Sequence, residues 1–376
     1  MKKQLKVDRK RQLVDAVVAD YEERKLKRRE LELQWQLNLD FYNGRQNNFV
    51  THFDTMTTAR RQFHWQQNEC FNHVAPIIEA RLARIADEFD EEDELREQAT
   101  MWSEVTGSAF YKVTWNDGIQ VSVHSPFELF PDNLNAQEIE EVNSLIHAKR
   151  LSVATIKESW NVDLGYLGEE SVLVLERYER PSKEREHGRL TIVAADKLLY
   201  DGDLPFVTQL PFVRQTSENM VGNFFGKSVI ERVIPVQRAY NTVKNRKVEF
   251  LNRMACGVLA VEEGSVDLES LETDGLAPGK VIVYRHGANP PAFMDTGSIP
   301  AELEREEERL LKEFETISGG GEISRSANAT TTATALEILE NRDGRRMTRT
   351  MNSVRRALAR VQEHTQQLAQ QFQGES

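Results

Sequence analysis

The stretch SVIERVIPVQRAYNTVKNRKVEFLNRMA, Ser228–Ala255, predicts one long helix, and the parts after it are arranged around it. It holds six Lys/Arg against two Asp/Glu, and Pro235 can kink it near its start. A second charged stretch, Pro300–Thr316, holds seven acids against three bases and also predicts a helix. Between them, residues 257–295 have a strand–loop–strand pattern with seven acids and two bases. Because the chain leaves along one helix and returns along the other, we expect antiparallel packing. The opposite charges would favour contact within a chain or between neighbouring copies, by about 0.2–1 kcal/mol per exposed pair.

A glycine-rich loop and a last helix follow. The loop ISGGGEISRSANATTT, Ile317–Thr332, contains three consecutive glycines and many hydroxyl residues. Thr334 and Glu337 have capping-box spacing, so the last helix is predicted from Thr334 to about Phe372. Its apolar residues follow a heptad pattern, which predicts packing along another helix. They are Met347, Met351, Val354, Leu358, Val361, Leu368 and Phe372.

The first half of the chain predicts helices followed by a mainly antiparallel α+β domain. One helix is expected over residues 8–42 and another over Phe71–Ile85, from apolar residues at helical spacing. Alternating strands are expected over 107–215, with a hairpin turn at Asn116-Asp117-Gly118. Ser152 is predicted to cap a short helix.

The composition restricts the class of protein. The 376 residues carry a net charge of −12, which on average repels nucleic acid, so a protein that coats DNA is not expected. The two cysteines, Cys70 and Cys256, argue against a disulfide framework and favour an intracellular, reducing setting. The sequence has no apolar run of membrane-spanning length, and its basic N-terminus is not followed by the apolar core of a secretion signal.

Two glycine motifs are similar to phosphate-binding loops. GNFFGKS, Gly222–Ser228, has only three residues between its glycines, whereas the phosphate loop needs four. The preceding VRQTSENMV is also a poor candidate for a buried strand. We therefore expect a tight turn with Phe224 and Phe225 packing inward and Ser228 near the N-cap of the long helix. In GGGEISRS no Lys-Ser/Thr pair follows, and Glu322 would repel a phosphate.

No catalytic, metal or cofactor site is predicted. Cys70 and His73 have C-x-x-H spacing, but no second pair matches it. With His64, they lie among aromatic residues, which favours core packing. Acidic residues are abundant on charged helices, where solvation explains them; seven of the eight residues 87–94 are acidic.

The order of these parts resembles the portal (head–tail connector) protein of tailed double-stranded DNA bacteriophages, of the short-tailed type. The resemblance rests on GNFFGKSVIERVIPVQRAYNTVKNRKVEFLNRMACGVLAVEEGSVD, PGKVIVYRHGANPPAF and LEREEERLLKEFETISGGGEISRSANATTTATALEI, all within residues 222–339. Residues 107–131 and the N-terminal helices are more weakly similar. The ordered combination is specific, although no single motif is. The join at residues 86–93 is shorter than the resemblance leads us to expect, which suggests residues omitted there.

The resemblance implies an α+β, mainly helical fold that assembles as a ring. Its parts would be a wing, two stem helices, a clip, a tunnel loop and a helix rising to the crown. The wing would span 1–220, with a helical arm at 1–90 and an α+β part at 91–220. The remaining ranges would be 221–256 for the first stem helix, 257–298 for the clip, 299–316 for the second stem helix, 317–333 for the tunnel loop and 334–376 for the wing/crown helix.

The implied function is structural rather than enzymatic. Such proteins form a dodecameric ring at one vertex of the capsid in the virion, through which viral DNA is packaged and later ejected. The implied partners are further copies of the chain, double-stranded DNA, the terminase large subunit, the head–tail adaptor, and the major capsid and scaffolding proteins. Assembly would take place in the cytoplasm of the bacterial host, with no membrane involved.

Candidate site residues follow from the resemblance and from charge. The tunnel-loop candidates are Ser318, Gly319, Gly320, Gly321, Glu322, Ser324, Arg325 and Ser326. The clip candidates are Glu262, Glu263, Asp267 and Arg285. The candidates for pairing between the stems of neighbouring subunits are Arg246, Lys247, Glu304, Glu307 and Glu308. Arg325 is the only cation of the loop, so it would either contact phosphates with Ser324 and Ser326 or pair with Glu322 or an acid of a neighbouring subunit.

The sequence leaves three alternatives open. The first is another oligomeric phage structural protein, such as an adaptor or scaffold. The second is a DNA-processing enzyme such as a nuclease or ATPase, for which neither a phosphate loop nor an acidic metal cluster is visible. The third is a coiled-coil interaction protein, against which the strand pattern of residues 107–215 argues.

Overall fold

The computed structural model describes residues 2–46, 72–89, 93–164, 170–183, 185–205, 210–256, 258–266, 281–294, 299–318 and 333–373. Its helices are α1 Lys2–Lys27, α2 Arg29–Tyr42, α3 Val74–Ala86, α4 Glu94–Thr106, α5 Val153–Trp160, α6 Ile230–Cys256, α7 Ala301–Ser318 and α8 Ala333–Gln373. Its strands are β1 Ser108–Trp115, β2 Ile119–His124, β3 Leu129–Pro131, β4 Ser144–Ser152, β5 Ser171–Glu179, β6 Arg189–Ala194, β7 Lys197–Gly202, β8 Phe212–Thr216, β9 Val258–Ala260 and β10 Ala292–Met294. Helices hold more of these residues than strands do, so the predicted α+β, mainly helical class is confirmed.

The chain divides into two compact units. The first comprises residues 1–235 and 314–376, and the second comprises residues 236–313. The chain passes from the first unit to the second within α6. None of the described helices is both long and apolar enough to cross a membrane.

The N-terminal segment is two helices rather than the predicted single one. Helix α1 ends at Lys27 and α2 begins at Arg29. Arg28, between them, is fully buried, and its guanidinium donates to the backbone carbonyls of Pro126, Phe127 and Leu129. The break between α1 and α2 follows from this contact of Arg28 with a distant segment. The helical spacing of apolar residues does not reveal such a contact.

Several local predictions in the first unit are confirmed. Strands β1 and β2 form an antiparallel hairpin closed by residues 116–118, with Asp117 at φ 52°. Ser152 caps α5, because its Oγ accepts a hydrogen bond from the backbone N–H of Thr155 at 3.1 Å. Helix α3 begins at Val74 rather than Phe71, and Pro76 lies in its first turn, where its missing N–H costs nothing. Asp93 caps α4 by accepting from the backbone N–H groups of Leu95 and Arg96.

The five-stranded antiparallel sheet has the order β3-β4-β5-β6-β7 and is covered on both faces. Helix α1 covers one face, where Val17 and Tyr21 pack on Ile146 and Leu175. Neighbouring strand residues point to the opposite face. Leu145 therefore belongs to the main core.

The second sheet is three-stranded, with the order β2-β1-β8. Phe110 of β1 and Phe212 of β8 face the main core, together with Trp35 of α2. Ala109 and Val213 face the other way, where α4 and α8 cover them. The first unit is thus layered, with helices outside two facing sheets.

Strand β8 corrects one sequence argument. Residues 212–216 form a strand whose residues are all buried, although the polar sequence VRQTSENMV argues against a buried strand. Gln215 is fully buried, and its amide donates to the hydroxyls of Thr100 and Ser103 at 3.2 Å each while accepting from Tyr111. The polar side chains are buried because each finds partners: Gln215 on α4, Arg214 on the backbone of nearby turns and Thr216 on Ser353 of α8. Single-residue polarity does not report this.

Helix α8 is as long as predicted, but its partners are mixed. Met347, Met351 and Val354 pack on Ile85 of α3, as expected of a helix-to-helix seam. Further along, its apolar face packs on the three-stranded sheet, and Phe372 stacks on Trp115 at 5.2 Å between ring centroids. The predicted packing along another helix is therefore confirmed in part, on α3 and α4, and the three-stranded sheet supplies the other partner. A heptad pattern predicts which face of a helix is buried, but it does not predict whether a helix or a sheet packs against that face.

Candidate functional site

Three ion pairs join α6 to α7 inside the second unit. Lys247 Nζ lies 3.2 Å from Glu307 Oε2 and 3.8 Å from Glu304 Oε1, and Lys244 also contacts Glu307. Lys244 pairs with Glu307, and Lys247, which comes later in α6, also reaches Glu304, which comes earlier in α7. This register confirms that the two helices run antiparallel.

The carboxylate of Glu307 is the centre of this cluster. Partial burial alone would raise its pKa, but the hydrogen bonds from Lys244 and Lys247 hold it below the ordinary value for glutamate. The side chain of Glu307 is 14% exposed and those of the two lysines are 22–23% exposed, so water still reaches the cluster. Each pair therefore contributes about 1 kcal/mol and weakens in salt. Some of the opposite charges of α6 and α7 thus form ion pairs within one chain.

Arg246 and Glu308 lie outside these ion pairs. Both side chains are exposed, and neither has an ion-pair partner among the described residues. Arg246 is next to Lys247 in the sequence, and Glu308 is next to Glu307. An exposed positive charge and an exposed negative charge therefore lie beside the ion pairs within the chain. Pairing of these stems between subunits stays a prediction.

Charge reversal distinguishes the two kinds of pair. We expect Glu308→Lys to weaken assembly of the chain severalfold at low salt and to have little effect at high salt, where charges are screened. Glu307→Lys should instead lower the stability of the single chain, because its partners lie in the same subunit. Analytical ultracentrifugation over a salt series measures the first effect and thermal unfolding measures the second. If Glu308→Lys leaves assembly unchanged at low salt, this residue does not pair between subunits.

The segment between α6 and α7 contains a two-stranded antiparallel ribbon. Strand β9 pairs with β10 from Val258↔Met294 to Ala260↔Ala292. Glu262 accepts a hydrogen bond from the backbone N–H of Asn289 at 2.8 Å, which ties the two arms together.

Exposed residues extend from this ribbon. The side chains of Glu263 and Arg285 are exposed, and the backbone N–H of Arg285 donates to the carbonyl of Ser265. Val281 and Val283, on the same arm as Arg285, are about four-fifths exposed, at 82% and 80%. Exposed apolar side chains that lie close together can form part of an interaction surface. Asp267, the remaining clip candidate, lies outside the described residues.

The predicted tunnel loop falls almost wholly outside the described residues. Ser318 is the last residue of α7, and Gly319–Ser326 are not described. Helix α8 begins at Ala333, one residue before the predicted start. The side chains of the predicted capping box, Thr334 and Glu337, also lie outside the described part.

The GNFFGKS segment is a packed turn. Phe224 and Phe225 are buried in the main core, as predicted. Ser228 Oγ accepts from the backbone N–H of Ile230, the first residue of α6, and this confirms its place at the helix start. A Cβ on Gly226 would lie 2.4 Å from the carbonyl oxygen of Gly107, so the glycine is required by the close approach of two backbones.

Of the weak metal candidates, only His73 is described. Its ring lies 4.9 Å from that of Phe314, which agrees with aromatic packing; Cys70 and His64 lie outside the described residues. A different cluster of His124, Glu128 and His147 was missed by the sequence reasoning. His124 and Glu128 are four positions apart in the sequence. His147 joins them only through the pairing of β4 with β3, in which it lies opposite Leu129, so sequence spacing does not reveal the third residue.

A protein-family model described as Phage P22-like portal protein matches residues 135–375 of the chain. The matched range is more than half of the 376 residues and contains α6, the ribbon, α7 and α8. It includes the stretches that carry the resemblance, which is thereby confirmed. No curated protein matches the chain.

Proposed function

The chain belongs to the P22-like family of phage portal proteins, and we propose on this basis that twelve copies form a closed ring at one capsid vertex. The ring would be the channel for packaging and ejection of double-stranded DNA. Membership of the family makes the chain a structural protein of a bacteriophage. The observation that carries the finer proposal is the antiparallel pair α6–α7, with ion pairs inside the chain and exposed charges of both signs beside them.

The charge of the chain supports a role as a channel. Each phosphate that a protein neutralises adds salt-dependent affinity for DNA. A ring of many copies would repeat these contacts, and the combined affinity would slow the movement of DNA. The chain instead carries a net charge of −12. A net negative wall repels the phosphate backbone, so DNA can slide past it.

We assign the one DNA contact to the tunnel loop. Its glycines permit the loop to follow a moving duplex, and its serines can touch phosphates without reading sequence. Arg325 is its only cation. In this proposal Arg325 contacts DNA with Ser324 and Ser326, and the alternative is an ion pair with Glu322 or with an acid of a neighbouring copy.

The other partners follow from the proposed division of the chain. The clip at 257–298 would bind the terminase large subunit during packaging and the head–tail adaptor afterwards, with Glu262, Glu263, Asp267 and Arg285 as contact candidates. The exposed apolar side chains beside Arg285 support an interface there. The wing would face the capsid and scaffolding proteins, and assembly would precede packaging in the bacterial cytoplasm.

Deletion of Gly319–Ser326 tests the channel proposal. We expect rings to form as in the unaltered protein while packaged DNA falls at least tenfold, because the loop is proposed to act on DNA and not on assembly. Particle counts by electron microscopy and DNA content by quantitative amplification measure the two effects separately. Arg325→Ala is the matched variant: a similar loss of DNA assigns the contact to this residue. If the deletion blocks oligomerisation, the loop is part of the subunit interface and the assignment is wrong.

A further inference from the structure

Two histidines and a glutamate meet at the join between the two sheets. Their facing atoms are His124 Nδ1, His147 Nε2 and Glu128 Oε2. The separations are 2.8 Å from His124 to Glu128, 3.2 Å between the histidines and 3.5 Å from His147 to Glu128. Three groups of the types that bind metal ions therefore converge on one point.

These separations fit a tetrahedral ion. Zinc binds imidazole nitrogen and carboxylate oxygen at about 2.0–2.1 Å, so two ligands of a tetrahedral site lie about 3.3 Å apart. The three observed separations lie within about 0.5 Å of this value. Two histidines and one glutamate with a free fourth position are also a known zinc ligand set.

The outer nitrogens of the two imidazoles each face a group that can accept a hydrogen bond. His147 Nδ1 lies 3.1 Å from Glu176 Oε2, and His124 Nε2 lies 2.9 Å from Ser122 Oγ. A histidine that donates from one nitrogen to a carboxylate or hydroxyl is held with its other nitrogen unprotonated and available for a metal.

The third ligand is oriented in the same way. The other oxygen of Glu128, Oε1, accepts from Ser125 Oγ at 2.9 Å and lies 3.4 Å from the backbone N of Ser125. Oε2 is thereby left facing the histidines. Hydrogen bonds of this kind around a metal site fix the ligands before the ion arrives.

The surroundings balance the charge and leave a path for the ion. Glu176 is paired with Lys112 and Lys149, so its charge is already neutralised and Glu128 is the anionic ligand. Lys112 Nζ also lies 3.3 Å from His147 Nδ1, on the side of the ring away from Glu128. The side chain of His147 is fully buried, whereas that of Glu128 is 34% exposed, so an ion can enter from the side of Glu128.

We propose that His124, Glu128 and His147 bind one divalent transition-metal ion, with zinc as the ion of best fit and a water molecule as the fourth ligand. His124 ends β2 of the three-stranded sheet, and His147 lies in β4 of the five-stranded sheet. The ion would therefore cross-link the two sheets of the first unit and stabilise their join. The proposal does not depend on ring formation or on DNA.

Metal titration of the full chain tests the proposal. After treatment with a chelator and dialysis, Zn²⁺ is titrated by calorimetry and Co²⁺ by visible absorption. We expect one ion per chain, a higher unfolding temperature with zinc, and the intense absorption bands of tetrahedral cobalt. Absence of binding, or the weak bands of octahedral cobalt, would leave a hydrogen-bonded histidine–carboxylate cluster without metal and overturn the proposal.

Variants assign the ion to these residues. Glu128→Gln and His124→Ala should each weaken zinc binding at least tenfold, and their unfolding temperatures without metal show whether the fold persists. Ser122→Ala removes only the outer acceptor of His124 and should weaken binding by about 10–100-fold. His187→Ala changes an exposed histidine outside the cluster and should leave binding unchanged. Unchanged zinc binding in Glu128→Gln and His124→Ala would place the ion elsewhere and contradict the proposal.

Discussion

Glu104→Gln is expected to lower the free energy of unfolding by about 3–5 kcal/mol, because it removes the negative charge that is bonded to the buried guanidinium of Arg81. The side chain of Glu104 is fully buried, and its Oε2 lies 2.5 Å from Arg81 Nε. Its other oxygen accepts from Ser217 Oγ at 2.8 Å, and its backbone carbonyl accepts from Ser228 Oγ at 2.6 Å. Helix α4 is thereby tied to α3, to the end of β8 and to the start of α6.

Two further variants isolate the charge. Glu97→Gln makes the same chemical change at an exposed position of α4 and should shift stability by less than about 0.5 kcal/mol. The double variant Glu104→Gln/Arg81→Met removes both charges and should recover most of the loss. Urea unfolding followed by tryptophan fluorescence gives all three values. A loss in Glu104→Gln as small as that in Glu97→Gln would show that the ion pair does not stabilise the unit.

Arg28→Met is the second large expected effect, with a loss of about 3–5 kcal/mol in the free energy of unfolding. The guanidinium of Arg28 donates to Pro126 O at 2.8 Å, to Phe127 O at 2.5 Å and to Leu129 O. It also lies 3.4 Å from the ring centroid of Phe130. Methionine fills similar space but donates nothing, so buried carbonyls lose their partners.

The neighbouring arginine is the control for this variant. Arg29 is exposed, and Arg29→Met should change stability by less than about 0.5 kcal/mol. Burial lowers the pKa of Arg28 to about 10, with Glu32 opposing the shift. The arginine therefore stays charged at neutral pH, and its donors are present under ordinary conditions. Equal stability of the two variants, measured by urea unfolding at neutral pH, would contradict the assigned role of Arg28.

Local chemistry made the short-range features predictable. The turn at Asn116-Asp117-Gly118 and the cap at Ser152 depend on residues within a few positions of each other, so the sequence contains all that decides them. The antiparallel pairing of α6 and α7 was also predictable. The intervening segment forces the chain to return, and Lys247 and Glu307 carry opposite charges.

Long-range contacts decided what the sequence did not predict. The break at Arg28 depends on carbonyls about a hundred positions away. The burial of Gln215 depends on hydroxyl partners on α4. The cluster around His147 depends on strand register, because one step along β4 would move the ring to the opposite face of the sheet.

The division of the stem charges was only partly predictable. The sequence left open whether acids such as Glu304 and Glu307 pair within the chain or with a neighbour, and the structure pairs both with Lys247. Arg246 and Glu308 are adjacent to Lys247 and Glu307 in the sequence, and both side chains are exposed. The spacing of charged residues along the two helices does not show which of them pair within the chain and which stay exposed.

The symmetry of the purified assembly tests the central claim most directly. Electron microscopy of the full chain, averaged without imposed symmetry, is expected to show closed rings with twelve-fold symmetry and an open central channel. Monomers, or assemblies without a closed ring and a channel, would contradict the account and favour an adaptor or scaffold role.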